Sequence, residues 1–539
     1  FGLKRFRLAQ PMVLVPPFSP GLSGLPLSLL LLVTGAEPSL ALDGLNVDGY
    51  YWPKRGGTHI GHGDVPHAVP TDFSRKPSWT WENDDDELFR HGPVIDGKKN
   101  IYAVTALGVI RKFSPDGAMI WSWRATMEEG KIVTSPFLSD GKLFITSIGH
   151  WEQQGAASFI YAFDMETGRQ LYKADGPKGG AVNQDSSTVH VAEGVLLGAV
   201  KDHQIVQGDM HGNNKIWAAN ASDGHHLWDY LVEGGGMVWN FMPSTPGDGT
   251  VFFASCCGVA QRRRLSDGGL IWKSEVPEPG GFCSTGGGTH GPNGVFYVEA
   301  NHPGPVPLLR SAAPGAETEG PGIVVAHRAE DGKVLWARRL GRHFGGWQYP
   351  AVAQLRGRLA LVAAVGTNPA LADDGLGPQF LPMLARLALQ QLQLRWAGFR
   401  RFVGVPVKRN GVAAYDAETG ELLWRWEEEP WSYLGAAGDE NRFVERVMKF
   451  GGDPRRDVIC GPDNWGIPAV ADGTVIVGSG STGNLYAIRD ANGDGEIQEE
   501  EASTLETGQA FLNGPALAPG MLVAAPCWGK MYVFRTGEE

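Results

Sequence analysis

The chain of 539 residues contains 75 Gly, 36 Pro and 18 Trp, and only 20% of its residues are charged. This composition is typical of strands joined by tight turns and excludes a mainly helical protein. The net charge of -12 argues against a nucleic-acid partner or an anionic membrane, because neither would attract the chain at long range.

Residues 1–41 have the pattern of a signal peptide. Basic residues near the start precede a short apolar run, LPLSLLLLV, and the small residues SLA follow it. The apolar run is too short to cross a bilayer as a helix. We therefore expect a mature chain of residues 42–539 in a secreted, periplasmic or other extracytoplasmic compartment. The alternative is an N-terminal extension that arises from an error in the gene prediction.

A repeated pattern runs through the mature chain. The stretch IYAFDMETGRQLY (160–172) recurs at 216–228, 324–336 and 412–424, and weaker copies end at Trp121 and Trp272. Each copy has an alternating strand, a turn rich in Asp or Asn that ends in Gly, and an aromatic residue four positions later. Such a pattern predicts a β-hairpin, because Gly accepts the positive φ of the turn.

A second recurring piece precedes each copy. It consists of Pro, two small or apolar residues, a turn with Gly and another strand, as in TSPFLSDGKLFIT and WGIPAVADGTVIVG. One unit therefore contains four short strands, as a propeller blade does. Eight units are marked by the turn glycines Gly117, Gly168, Gly224, Gly268, Gly332, Gly420, Gly493 and Gly537. We predict an all-β, eight-bladed β-propeller.

The two ends of the mature chain complement each other. The last unit stops after its turn and lacks its outermost strand, whereas PSWTWE (Pro77–Glu82) resembles that missing strand. We therefore expect the N-terminal strand to complete the final blade. This arrangement removes the free sheet edges that invite aggregation.

The repeat resembles the tryptophan-docking repeat of the pyrroloquinoline-quinone (PQQ) propellers. The pattern A-x-D-x-x-T-G-x-x-L-W is nearly complete at Ala414–Trp424, and Tyr50–Gly57 and Val69–Glu82 are similar to the start of secreted PQQ-like repeat proteins. The resemblance covers residues 50–539 apart from an insertion at about 366–410. It implies that Trp residues packed in the core join neighbouring blades, namely Trp121, Trp228, Trp272, Trp336 and Trp424.

The resemblance leaves two classes of function open, because the superfamily contains quinone-dependent dehydrogenases and cofactor-free scaffold proteins. Adjacent half-cystines over the quinone are typical of the dehydrogenases, and Cys256 and Cys257 are adjacent here. They lie later in the chain than the family pair does. The alternatives are two buried thiols or a bond from one of them to Cys283. The chain has five cysteines, so at least one is unpaired in a monomer.

Residues just before the first strand of each blade surround one mouth of the channel in propellers of this type. In this chain they are His91, Thr134, Asp185, Trp239, Asn240, Cys283, Trp347, Gln348, Asp463, Asn464, Trp465 and Asn513. Aromatic faces mixed with amides and carboxylates suit a flat or hydroxylated ligand. The resemblance makes Asp185, Asn240 and Asp463 the nearest equivalents of the metal-binding and proton-abstracting residues of the dehydrogenases. Their local motifs are absent, so no catalytic residue is assigned. Alternatively, these side chains only hydrogen-bond across the channel.

The insertion contains a helix-like stretch, Phe380–Phe402. Its Leu, Met and Phe residues alternate with Arg386, Arg395, Arg400 and Arg401, which makes it cationic and amphipathic. We expect such a segment to dock on a partner or a membrane surface. The alternatives are that it packs on the rim of the propeller or that it reflects an unspliced or mispredicted segment.

The stretch from Asp490 to Glu501 fits the calcium loop of an EF-hand, although it lies in the turn of the seventh unit. Asp490, Asn492 and Asp494 occupy positions 1, 3 and 5, Glu496 position 7 and Glu501 position 12. Glu496 would bind through its carbonyl, and Gln498 directly or through water. The alternative is an acidic, solvated turn, because the repeat itself favours Asp, Asn and Gly here.

The sequence therefore favours a binding or scaffold module with a structural calcium loop. A PQQ- and calcium-dependent alcohol or sugar dehydrogenase is the alternative, with Cys256, Cys257, Asp185, Asn240 and Trp465 as candidate cofactor residues. A protein or a glycan is the expected ligand at the channel mouth, and a calcium-dependent lectin-like binder is a third hypothesis.

Overall fold

The strands of the chain form the eight blades of a β-propeller, each a sheet of consecutive antiparallel strands. The computed structural model describes residues 49–82, 88–89, 91–106, 108–126, 131–132, 134–148, 158–176, 180–181, 187–202, 214–232, 238, 241–255, 258–275, 288–301, 322–341, 344–346, 348–366, 385, 388–389, 392, 396–402, 409–430, 436–438, 460 and 464–537. The predicted all-β, eight-bladed fold is confirmed.

The first four blades follow two N-terminal strands, β1 (Asp64–Val65) and β2 (Trp79–Glu82). Blade 1 contains β3 (Val94–Ile95), β4 (Ile101–Val104), β5 (Val109–Phe113) and β6 (Met119–Arg124). Blade 2 contains β7 (Lys131–Ile132), β9 (Phe137–Ser139), β10 (Lys142–Ile148), β11 (Ser158–Asp164) and β12 (Gln170–Asp175). Blade 3 contains β13 (Gly180–Ala181), β15 (His190–Ala192), β16 (Val195–Asp202), β17 (Lys215–Asn220) and β18 (His226–Leu231). A parallel pair, β8 (Thr134–Ser135) and β14 (Ser187–Thr188), links these two blades. Blade 4 contains β19 (Thr250–Ala254), β20 (Ala260–Arg264) and β21 (Leu270–Lys273), with Ser244 bridged to Phe252 on the inner side.

The last four blades complete the ring. Blade 5 contains β22 (Gly288–His290), β23 (Val295–Asn301), β24 (Gly322–Arg328) and β25 (Val334–Arg339). Blade 6 contains β26 (Gly345–Gly346), β27 (Ala351–Leu355), β28 (Arg358–Gly366), β29 (Asn410–Asp416) and β30 (Leu422–Glu427). Blade 7 contains β31 (Ala469–Ala471), β32 (Thr474–Gly478), β33 (Asn484–Ile488) and β34 (Ala502–Glu506), and β1 pairs with β31 in parallel. Blade 8 contains β35 (Ala516–Ala518), β36 (Met521–Ala524) and β37 (Lys530–Arg535).

Burial follows the position of a strand within its blade. The middle strands are buried on both faces because neighbouring blades cover them. Accordingly, β28 consists mainly of Val, Leu and Ala, and the centre of β32 consists of Val and Ile. The outer strands β6 and β12 alternate between exposed and half-buried residues instead. The core is therefore a series of hydrophobic layers between blades.

Aromatic residues of the outer strands join each blade to the next one. The Trp121 Nε1 group donates to the Met165 carbonyl at 3.1 Å, and the Trp121 ring covers Gly168 in the turn of blade 2. A Cβ on Gly168 would lie 2.6 Å from that ring, and its φ of +71° also favours Gly. The contact recurs at Tyr172–Ala221, Trp228–Leu265, Trp272–Ala329 and Trp336–Ala417. The predicted docking role is thus observed for these tryptophans.

The N-terminal strand closes the ring as predicted. β2 pairs antiparallel with β37 from Trp79–Val533 to Glu82–Lys530, and so becomes the outer strand of blade 8. Blade 8 therefore combines the N-terminal strand β2 with the C-terminal strand β37, and this pairing stabilises the closed ring.

One disulfide bond lies between blades 7 and 8. It joins Cys460, which precedes blade 7, to Cys527, which follows β36, and the two Cα atoms lie 5.8 Å apart. The sequence did not indicate this pairing. Cys256, Cys257 and Cys283 lie outside the described residues.

The structure describes none of the proposed signal peptide and only part of the insertion. The proposed signal peptide, residues 1–41, lies outside the described residues. In the insertion, the six-residue helix α1 (Ala397–Phe402) is described, and Trp396 stacks on its Phe399. No helix in the described part of the chain combines the length and the hydrophobicity needed to cross a membrane.

Candidate functional site

The central channel contains the chain's own N-terminal segment. We define the channel segment as residues 52–68. Its backbone hydrogen-bonds, in order, with Ile95, Leu138, Thr245, His290, Val352, Val470 and Gly520, which lie in or beside the innermost strands of blades 1, 2, 4, 5, 6, 7 and 8. The His59 ring contacts His190 of blade 3, with 5.7 Å between ring centroids. Because innermost strands line the channel of a propeller, the segment lies inside it and contacts every blade.

Two cations of the channel segment are buried. Lys54 and Arg55 are almost inaccessible to solvent. Arg55 Nη2 donates to Gln348 Oε1 at 3.5 Å and to the Leu512 carbonyl at 3.3 Å. Gln348 lies just before β27 of blade 6, and Leu512 lies just before β35 of blade 8. The Arg55 side chain therefore extends to the channel mouth that the sequence analysis identified.

The described residues of this mouth are covered by protein. His91, Thr134, Gln348, Asn464, Trp465 and Asn513 are all buried. The remaining predicted mouth residues, Asp185, Trp239, Asn240, Cys283, Trp347 and Asp463, lie outside the described residues, as do Cys256 and Cys257. Of the five candidate cofactor residues, only Trp465 is described.

Trp465 packs as part of the core between blades 6 and 7. Its Nε1 group donates to the Val365 carbonyl at 3.0 Å. Its ring centroid lies 6.4 Å from that of Trp426 and 6.0 Å from that of Tyr486. The Trp465 ring therefore packs against the rings of Trp426 and Tyr486.

The calcium-like loop forms the turn between β33 and β34. Asp490 accepts from the backbone N–H of Gly493 at 2.6 Å, and Glu501 accepts from those of Ala491 and Gln498 at 2.8 and 2.9 Å. The hydrogen bond from Gln498, followed by those from Ala491 and Asn492, lowers the pKa of Glu501. The six predicted ligand residues thus share one compact turn. Across the described residues, however, no group of three or more His, Cys, Asp or Glu side chains is arranged to hold a metal ion.

Arg356 fixes this loop to blade 6. Its Nη1 group donates to the carbonyls of Ala491 and Asp490. A Cβ on Gly493 would lie 2.6 Å from the guanidinium carbon, and Gly493 has a φ of +81°. The charge of Arg356 is used on backbone carbonyls, and none of the ion pairs among described residues involves Asp490, Asp494 or Glu501.

A buried carboxyl group joins blades 6 and 7 beside the turn between β32 and β33. Glu428 accepts from Asn410 Nδ2 at 2.9 Å, Ser479 Oγ at 3.1 Å and Thr482 Oγ1 at 3.0 Å. Burial raises the pKa of Glu428 to about 7, although these hydrogen bonds act in the opposite direction. Sequence analysis missed this residue, because a Glu after an outer strand has no distinguishing local pattern.

The comparisons with known proteins agree on the architecture. Residues 106–283 match the family described as outer membrane protein assembly factor BamB. The fold is that of the PQQ-like repeat propellers. No curated protein matches the chain.

Several solved structures share this fold. Quinohemoprotein alcohol dehydrogenase ADHIIG from Pseudomonas putida HK5 has a TM-score of 0.54 and 12% identity, over 91% of this chain and 81% of that one. The quinohemoprotein alcohol dehydrogenase from Comamonas testosteroni has a TM-score of 0.55 and 12% identity, over 90% and 81%. A europium-containing methanol dehydrogenase has a TM-score of 0.53 and 12% identity, over 91% and 98%. At such identities the similarity is one of fold alone.

Proposed function

We propose that this PQQ-like propeller is an extracytoplasmic binding or scaffold module that carries a structural calcium-binding turn. One observation carries the proposal: the channel segment occupies the channel, and Arg55 contacts Gln348 and Leu512 at its mouth. In the alternative, a PQQ- and calcium-dependent dehydrogenase, the same mouth holds the quinone. The described mouth residues do not fit that group, since they are buried against the chain itself.

The disulfide supports the extracytoplasmic location. Disulfide bonds persist in oxidising compartments and are rare in the cytosol of most organisms. The Cys460–Cys527 bond connects two blades and is buried, as expected of a structural rather than a redox-active pair. The signal-peptide pattern of residues 1–41 points to the same compartment.

A protein is the partner that we propose. The family matched by residues 106–283 is described as an assembly factor for outer membrane proteins, which supports a protein rather than a small substrate. A filled channel leaves the outer surface of the blades for such contacts. A glycan at the channel mouth would have to compete with Arg55 for the same amide groups.

The calcium-binding part of the proposal depends on the donor set of the blade 7 turn. Asp490, Asn492, Asp494 and Glu501 would bind calcium through their side chains. Glu496 would bind through its carbonyl and Gln498 directly or through water. Hard oxygen ligands of this kind suit calcium, and three uncompensated carboxylates in one turn repel each other without a cation.

Equilibrium dialysis against PQQ tests the choice between the two functions. The mature chain is dialysed with calcium and then with a chelator, beside a quinoprotein dehydrogenase as the positive control. We expect no calcium-dependent, one-to-one binding. Tight binding that the chelator abolishes would overturn the scaffold proposal and restore the dehydrogenase. Spectroscopy of the dialysed protein distinguishes bound quinone from residual free quinone.

A further inference from the structure

Lys54 is a fully buried amine without a hydrogen-bond partner among the described residues. It has 0% of its surface exposed, and no described acceptor bonds to its Nζ atom. The Nζ atom lies 3.3 Å from the point that a Cβ on Gly61 would occupy, and Ser244 Oγ lies 3.9 Å from the same point. The amine is therefore inside the channel, between the channel segment and blade 4.

Among the described residues, basic and neutral groups share the channel with Lys54. His190 Nε2 pairs with Thr245 Oγ1 at 2.8 Å, and no described residue pairs with its Nδ1 atom. The Thr58 hydroxyl pairs with His62 Nδ1 at 3.0 Å. Burial is the main cause that lowers the pKa of both histidines, and the charge of Lys54 contributes in the same direction. Within the part of the chain that the structure describes, no carboxylate forms an ion pair with Lys54.

A buried ammonium group without a counter-charge is costly. Isolated charges in a protein interior are normally paired or give up their proton. Burial, with a smaller contribution from Arg55, lowers the pKa of Lys54 to about 7. An apolar residue of similar length would fill the same space without this cost, and an anionic ligand that pairs with the amine would offset it.

We propose that the channel binds a small oxyanion, a carboxylate or a phosphate, with Lys54 Nζ as its charge partner. His190, whose ring lies 5.7 Å from that of His59 in the channel segment, offers a second polar atom inside the channel through Nδ1. Binding of this kind combines a charge-assisted hydrogen bond with a low-dielectric setting, where such a bond is strong. This inference is independent of the scaffold function, because a channel anion would stabilise either kind of propeller.

Calorimetric titration tests the site directly. The mature chain is titrated with inorganic phosphate and, separately, with acetate, at constant ionic strength in chloride. We expect one site per chain for at least one of the two anions. The anion that binds shows whether the natural ligand carries a phosphate or a carboxylate. No heat of binding from either anion would overturn the proposal. K54M, which keeps the length of the side chain, is expected to bind neither, whereas K98M at an exposed salt bridge binds like the wild type.

Thermal unfolding provides the second measurement and guards against misfolding of the variant. Phosphate stabilises many proteins by exclusion from their surface, so K54M sets the background. We expect phosphate or acetate to raise the Tm of the wild type and of K98M by a few degrees more than that of K54M. An equal rise in all three would show that the anion acts on the surface only. If circular dichroism shows that K54M is unfolded, K54Q replaces it in both measurements.

Discussion

Trp79 Nε1 donates a hydrogen bond to the Pro115 carbonyl at 2.8 Å, and this contact joins the two ends of the ring. Trp79 belongs to β2 in blade 8, whereas Pro115 lies in the turn of blade 1. The indole ring also covers Gly117, where a Cβ would lie 2.9 Å from it. Trp121 makes the same pair of contacts with blade 2. The closure of the propeller therefore uses the interaction that joins its other blades.

Removal of the Trp79 side chain should weaken the contact between blades 8 and 1 that closes the propeller. We expect W79A to reduce the free energy of unfolding by about 3 kcal/mol, at the lower end for Trp→Ala because the ring is only half-buried. W79F keeps a smaller aromatic ring and loses the hydrogen bond, which alone contributes about 1 kcal/mol. Urea unfolding followed by tryptophan fluorescence measures both. W396A, at an exposed Trp, is the control and should change stability by less than about 0.5 kcal/mol. Equal losses in W79A and W396A would contradict a role of Trp79 in closure.

The sequence predicted the blades well because their determinants are local. Gly168 and Trp121 belong to repeats in which a turn glycine and an aromatic residue keep a fixed spacing, and each lies where the pattern indicates. The closing strand was predicted for the same reason, since Trp79–Glu82 repeats the pattern of the other outer strands.

The contents of the channel could not be predicted from the sequence. Lys54 and Arg55 lie in a segment without strand alternation, and its backbone groups pair with strands from 40 to more than 400 residues away. Such pairing leaves no periodic signal. The Cys460–Cys527 bond was missed because two cysteines 67 residues apart have no distinguishing pattern. Contacts between residues that come together only in the closed ring thus cannot be predicted from the sequence pattern.

The disulfide should contribute strongly to stability. Replacing both residues, C460S/C527S, is expected to reduce the free energy of unfolding by about 2–5 kcal/mol, because the bond restricts the unfolded chain. Urea unfolding with and without a reducing agent measures the effect. The reductant should destabilise the wild type by a similar amount and leave the double variant unchanged. A reductant effect of the same size in both proteins would assign the loss to other cysteines.

Calcium should stabilise the blade 7 turn if the proposed site is correct. A ligand at a hundred times its Kd adds about 2.7 kcal/mol to the free energy of unfolding. We expect calcium to raise the Tm of the wild type and a chelator to reverse the rise, whereas D494N and E501Q respond weakly. E499Q removes a neighbouring charge at a position that the loop pattern does not use, and should respond like the wild type. A loss of response in E499Q as large as in E501Q would indicate a general charge effect instead of a site.

Glu428, which lies between blades 6 and 7, should make the free energy of unfolding depend on pH. Its pKa is about 7 in the folded protein, because burial disfavours the carboxylate, against an ordinary pKa of 4.5 for a Glu side chain. Below about pH 4.5 the group is protonated in both states, and its contribution is fully present. Between these values the folded protein retains a proton that the unfolded chain releases. The free energy of unfolding therefore falls as pH rises, and the contribution is lost above about pH 7.

E428Q isolates this contribution from that of other buried groups. The glutamine oxygen can accept from Asn410 and Ser479, and its amide can donate to the hydroxyl groups of Thr482 and Tyr486. We expect the difference in unfolding free energy between wild type and E428Q to change by at most about 1.4 kcal/mol per pH unit from pH 4.5 to 7 and then to level off. Urea unfolding across that range measures it. E500Q, at an exposed carboxylate, should track the wild type throughout. A constant difference for E428Q across the range would mean that Glu428 has the same pKa in both states, and its four hydrogen-bond donors would then fully offset its burial.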